Sequence, residues 1–170
     1  MPLSIPCRHN PILQKVVERV NRDQELEQFW RCVNINAVDR SNISDHGEVH
    51  VRIVANIALR LLRLLNEAGI EMSVVKNYAC TVEDAEVIVV LAACLHDLGM
   101  AIHRQGHEET GLALAYLKAK ELLSDFYDIP TRTIMVSEIL HAVLAHRWDV
   151  PCLTLEAGIV KVADALDMTK

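Results

Sequence analysis

Aromatic residues are scarce in this chain, 4% of 170 residues, although apolar residues make up 51%. A core with so few rings has to be filled by Leu, Ile, Val and Ala, the side chains that interdigitate between packed helices. Segments with strand periodicity, internal repeats and low-complexity tracts are absent too, which points to an all-α protein. Cysteine pairing is missing: the five cysteines (Cys7, Cys32, Cys80, Cys94, Cys152) are odd in number and contain no C-x-x-C motif. A disulfide framework, a zinc ribbon and a dithiol redox centre are thereby excluded, and reduced thiols in a cytoplasmic protein are expected. Positive charge is short as well. With a formal net charge of -6 and no basic patch, general binding to nucleic acid or anionic membranes is not expected. The start, Met-Pro-Leu-Ser-Ile-Pro-Cys-Arg, lacks the charged-then-apolar order of a signal peptide, and no apolar run approaches the ~18 residues of a membrane span. The length is that of one domain.

Helical periodicity is what the chain does have. From Pro11 to about Val33, Ile12, Val16, Val20 and Phe29 recur at helical spacing, giving one or two amphipathic helices. Asn36 to Asp45, rich in Asn, Asp and Ser, reads as a loop in which Ser44 or Asp45 caps a helix running from Gly47 to Glu67, with Gly69 as its stop. On that helix His50 shares a face with Val54, Ile57, Leu61 and Leu64, so a histidine points where the buried aliphatics point. Met72 to Thr81 carries no clear pattern. Thr81 with Asp84 makes a capping box for a central helix of Val, Ile, Leu and Ala that ends at His96-Asp97, with Gly99 as its stop. A helix from His107 to Leu123, another from Pro130 to Arg147, and a last one after Pro151 opened by Thr154 complete an expected bundle of six to seven helices.

The histidines carry the chemical signal. Seven of the eight lie from His46 to His146, six of them near helix ends or on apolar faces. Imidazole nitrogen combined with carboxylate oxygen suits a divalent transition ion (Mn, Fe, Co, Ni or Zn) better than Mg. His50, His96, Asp97 and Asp164 supply that mixture. Where the backbone loosens before Gly99, His96 and Asp97 can turn toward one ion, with His50 and Asp164 arriving from flanking helices.

Asp-His-Gly-Glu-Val-His at 45 to 50, Leu-His-Asp-Leu-Gly at 95 to 99 and Lys-Val-Ala-Asp at 161 to 164 together resemble the HD-domain superfamily, in its order and context. The resemblance covers roughly Asp45 to Asp167. It implies an all-α fold, divides the chain into an N-terminal helical extension (1–40) packing on an HD domain (41–170), and identifies His50, His96, Asp97 and Asp164 with the metal-ligand positions. His50 is preferred to His46 because it directly precedes the aliphatic run. The resemblance also implies hydrolysis of a phosphate ester, often in a nucleotide. Members with two metals have further histidines, at places matched here by His107 and by His141 or His146. The last two lie five apart, about 140° around a helix, and His146 is preferred. Met100 stands where many members have Lys after His-Asp-x-Gly, so Arg104, Arg147 or Lys161 would have to make that phosphate contact. The Gly-Tyr-Pro element of the cyclic-dinucleotide phosphodiesterase branch is missing.

The expected enzyme is therefore a hydrolase holding one or two divalent ions, in which Asp97 binds metal and orients the attacking water while Lys161 neutralises phosphate charge. Its expected ligand is a small phosphorylated metabolite, with a homodimer left open as the assembly and the end at Lys170 hinting at a further C-terminal element. The alternatives are a di-iron oxygenase on the same fold, and a non-catalytic sensor or scaffold stabilised by metal. Asp167 reads as one more acidic residue on an exposed helix face, Glu108 and Glu109 as favourable charges at a helix start, and Cys94 as core filler.

Overall fold

The capping box forms as expected. In the computed structural model, which describes residues 2–168, Asp84 N donates to Thr81 Oγ1 at 3.2 Å and Thr81 N to Asp84 Oδ2 at 2.8 Å. It opens a helix, Val82–Leu95, in which every residue from Asp84 to Leu95 is buried. Nine α-helical segments occur among the described residues: α1 (Pro11–Val20), α2 (Gln24–Asn34), α3 (Glu48–Glu67), α4 (Ser73–Asn77), α5 (Val82–Leu95), α6 (His107–Thr110), α7 (Leu112–Leu122), α8 (Ile129–Ala145) and α9 (Leu155–Ala165). Only α4 and α6 are shorter than ten residues. No strand occurs among the described residues, and none of their helices is long and apolar enough to cross a membrane. The protein is an all-α bundle.

Burial on every side makes α5 the axis, with α3, α8 and α9 packed on it, α9 also lying against both α3 and α8, and α1 and α7 adding further faces. The core is continuous and aliphatic, from Leu13 and Val16 on α1 to Ile159 and Val160 on α9. Cys94 lies in it, and burial pushes its thiol up to about 12, so it fills space and does no chemistry. The N-terminal segments also satisfy polar groups of the bundle. Asn10 accepts from Leu13 N at 3.0 Å to cap α1 and donates to the buried Glu86 at 2.9 Å. Trp30 Nε1 donates to Cys94 O at 2.9 Å, occupying one of the carbonyls that a helix end leaves without an intrahelical partner.

Three local expectations are corrected. Ile35–Arg40, expected as loop, is a π-helical turn that continues α2. Its Asn36 donates to Met100 O at 2.7 Å and Ala101 O at 3.0 Å, while Ala37 packs on Met100. The helix expected over 107–123 breaks at Gly111, and Gly99 is not a left-handed stop, a conformation found at Gly69 (φ 80°) and Gly106 (φ 69°). Gly99 and Gly111 serve close approach instead. A Cβ at Gly99 would lie 2.0 Å from His107 O and 2.7 Å from Gly111 N. The 3-10 turn Leu98–Ala101 can thus press against the α6–α7 junction and bring His107 to Asp97.

Gly99→Ala is accordingly expected to cost about 3 kcal/mol of stability in chemical denaturation. Gly158→Ala on α9, where a Cβ meets nothing within 4 Å, should instead stabilise by about 0.5–1 kcal/mol. Equal effects at the two positions would refute the close-approach reading.

Candidate metal centre

Five helix ends converge at one end of the bundle. His50 lies in the first turn of α3, His96 caps the C-terminus of α5 with Asp97 following, His107 opens α6, His146 caps the C-terminus of α8, and Asp164 is in the last turn of α9. Three of these ends, those of α5, α8 and α9, present the negative pole of a helix, which favours a cation. Asp45 fixes the approach to His50: its Oδ1 accepts from Gly47 N at 3.1 Å and its Oδ2 from Asn34 at 2.8 Å.

The side chains form two triads. His50, His96 and Asp164 make one, and Asp97, His107 and His146 the other, with candidate ligand atoms within 4.8 Å of one another in each. In the first, His50 Nε2 lies 3.1 Å from His96 Nε2 and 3.2 Å from Asp164 Oδ1. In the second, His107 Nε2 lies 3.2 Å from His146 Nε2 and 3.1 Å from Asp97 Oδ1. Asp97 joins them, because its other oxygen, Oδ2, is 3.1 Å from His96 Nε2 and 3.5 Å from His50 Nε2.

The tautomers show why these groups suit metal. Each of the four histidines directs Nδ1 at an acceptor: His96 at Ala93 O (2.8 Å), His107 at Arg104 O (2.9 Å), His146 at Val143 O (2.5 Å) and His50 at Asp167 Oδ2 (2.7 Å). Nδ1 therefore carries a proton in each, and a ring in its neutral form presents its Nε2 lone pair inward. Between two neutral rings, lone pairs facing each other at 3.1 and 3.2 Å cannot hydrogen-bond and repel unless a proton or a metal cation stands between them. Asp97 Oδ2 is likewise buried with no hydrogen bond among the described residues. An orphaned buried oxygen and two pairs of opposed nitrogens fit divalent ions in both triads.

Charge leads to the same reading. Burial works against protonation of His96, but Asp97 beside it and the hydrogen bond to Asp164 prevail and push it up to about 10. Burial also works against the charged form of Asp97, yet His96 and the hydrogen bond from His107 hold it well below the usual carboxylate range. For His146, burial and then repulsion from His96 bring the pKa down to about 4, so its lone pair is available at neutral pH. The pocket retains carboxylate charge and demands positive charge in return, and a metal ion would compete there with protons.

Of the residues expected from sequence, His50, His96, Asp97, Asp164, His107 and His146 are brought together. His141 is not: its Nε2 accepts from Leu153 N at 2.9 Å, on the part of α8 before the terminus that carries His146. Lys161 is not either, since its ammonium donates to Val150 O at 2.7 Å. Arg104 and Arg147 line the adjoining cleft with His107. Asp167 is the residue that sequence reasoning missed. Expected on an exposed face, it is only 4% exposed and receives the His50 Nδ1 proton. The available signal was the pair of acids three apart in Val-Ala-Asp-Ala-Leu-Asp, which lie one turn apart.

The HD domain family model matches residues 47–169, the stretch that holds both triads. The chain belongs to the HD domain family. The uncharacterized protein MJ1020 of Methanocaldococcus jannaschii is 37% identical over 159 residues, 94% of this chain and 61% of that protein. The HD chain thus spans about three-fifths of this relative's length, and the similarity extends into the N-terminal helices before residue 47. No solved structure matches.

Within this HD site, Asp167→Asn should weaken metal binding at the His50 triad by about 10–100-fold, because the carboxylate that fixes the His50 ring and raises its basicity is lost. Competition titration with a chromophoric chelator checks this. Unchanged affinity would remove Asp167 from the site.

Proposed function

We propose that the protein is a metal-dependent phosphohydrolase that cleaves a phosphate ester of a small metabolite, with nucleotides favoured. The observation that carries the reading is the sharing of Asp97 between a buried histidine pair, His50 and His96, and a second pair, His107 and His146, at an open cleft. When divalent ions occupy the triads they supply Lewis acidity and lower the pKa of coordinated water from 15.7 toward about 7. Around them the chain's residues hold and orient. Asp97 directs Oδ2 at His96 in one triad and Oδ1 at His107 in the other, so one carboxylate would serve ions held in either. His146, neutral at pH 7, contributes a ligand without a proton to lose.

The cleft holds about 1020 Å³ and is lined by His107 together with Arg40, His103, Arg104, Arg147 and Trp148. That volume accepts a ligand much larger than phosphate itself. Arg104 makes no ion pair among the described residues, so its guanidinium is available to an anion, whereas Arg147 is held by Glu109 and Asp149 at 2.6 Å each. Trp148, 86% exposed at the cleft, offers a flat face on which a nucleobase can stack. Of Arg104, Arg147 and Lys161, any of which was expected to make the phosphate contact in place of the lysine that Met100 replaces, Arg104 is thus the one left available to a ligand anion at the cleft.

Phosphate release from a panel of nucleotides and sugar phosphates, assayed with Mn, Fe, Co, Ni and Zn in turn, tests the proposal. Native protein should release phosphate only when loaded, and Asp97→Ala should lose both bound metal and turnover. Retained turnover in Asp97→Ala, or metal-loaded protein that consumes oxygen on polyols and releases no phosphate, would overturn it, the latter in favour of an oxygenase.

A further inference from the structure

We infer that the cleft contains a second anion-binding subsite, built by Arg40 and Arg104, that selects bisphosphorylated substrates. The inference rests on the phosphohydrolase reading for the fate of the first phosphate and on independent observations for the second.

Arg40 closes the π-helical turn Ile35–Arg40, which precedes the residues matched to the HD family. π-Helical turns need a reason, since their geometry is less favourable than that of an α-helix, and they are frequent at functional sites. Here the turn is fastened to the metal-bearing segment. Asn36 bonds both Met100 O and Ala101 O, and Val33, Ala37 and Met100 bury one another in a small cluster of their own. Arg40 Nη1 then donates to Asn36 Oδ1 at 2.8 Å, an exposed hydrogen bond that tethers the guanidinium at the cleft.

The charges are uncompensated. Arg40 bonds only a neutral amide, and Arg104 meets no carboxylate among the described residues, although Glu108 and Glu109 line the same cleft. Arg147, by contrast, is neutralised by two acids. Two guanidinium groups with no carboxylate partner among the described residues match the charge and the paired oxygens of a phosphate dianion better than those of a single carboxylate. They flank a cleft whose wall includes His107, a member of the second triad, so one ligand can reach the metal positions with one phosphate and the arginines with another.

Isothermal titration of metal-loaded protein with matched pairs tests the subsite: adenosine 5′-monophosphate against adenosine 3′,5′-bisphosphate, and fructose 6-phosphate against fructose 1,6-bisphosphate. At least one bisphosphate should bind about tenfold or more tightly than its partner. Arg40→Ala and Arg104→Ala should each reduce that preference severalfold, Arg40→Glu should abolish it, and Arg40→Lys should retain part of it, with metal content and thermal midpoint recording that each variant is folded. No preference in the native protein, or a preference that Arg40→Glu leaves intact, overturns the subsite. Because the readout is binding, a bisphosphate that binds through Arg40 without being hydrolysed contradicts the phosphohydrolase reading alone, and hydrolysis of monophosphates with no bisphosphate preference contradicts the subsite alone.

Discussion

A buried carboxylate between two pairs of histidines is the constraint on which the rest of the structure depends. Asp97 is 6% exposed and remains ionised at a depth where an isolated charge would be driven to neutrality. It can do so only because nitrogens from α3, α5, α6 and α8 stand within 3.8 Å of its two oxygens. Those nitrogens in turn repel one another unless positive charge lies among them. As a set of protein groups the site is therefore suited to divalent metal, which supplies that positive charge.

Much of the fold can be understood as the means of holding that arrangement. α5 is long, aliphatic and buried on all sides, so its end is a fixed point from which His96 and Asp97 depart. Trp30 binds a carbonyl in the last turn of α5 and Asn36 the carbonyls beyond its end, and the Gly99–Gly111 contact lets α6 approach closely enough for His107 to reach Asp97. The N-terminal helices are thus more than a cover. They fix the segment after the His-Asp pair and bring Arg40 to the cleft, which gives residues outside the HD match a direct route to specificity.

What was legible in the sequence follows from range. Patterns that depend on neighbours along the chain were readable: the capping box at Thr81, the stop at Gly69, and the inward direction of His50 and Val54 on α3, although the buried face runs on through Ala58 and Leu62 and not through Leu61 and Leu64 as expected. The clustering of the six candidate ligands was readable because residue type and helix-end position restrict them strongly, and the HD resemblance ordered them. Features decided by contacts between distant segments were hidden. The π-helical turn depends on Asn36 meeting carbonyls more than sixty residues away, the break at Gly111 on crossing of the Gly99 turn, and the burial of Asp167 on His50 across the bundle. Lys161 shows the converse error, since a position one turn from Asp164 suggested the site while the side chain found Val150 O instead.

The central claim, that Asp97 bridges two metal positions, is tested most directly by anomalous scattering from crystals of metal-loaded protein. Two peaks per chain are predicted, one within His50, His96 and Asp164 and one within His107 and His146, with one Asp97 oxygen at each. A single peak, or two peaks of which only one contacts Asp97, would contradict it.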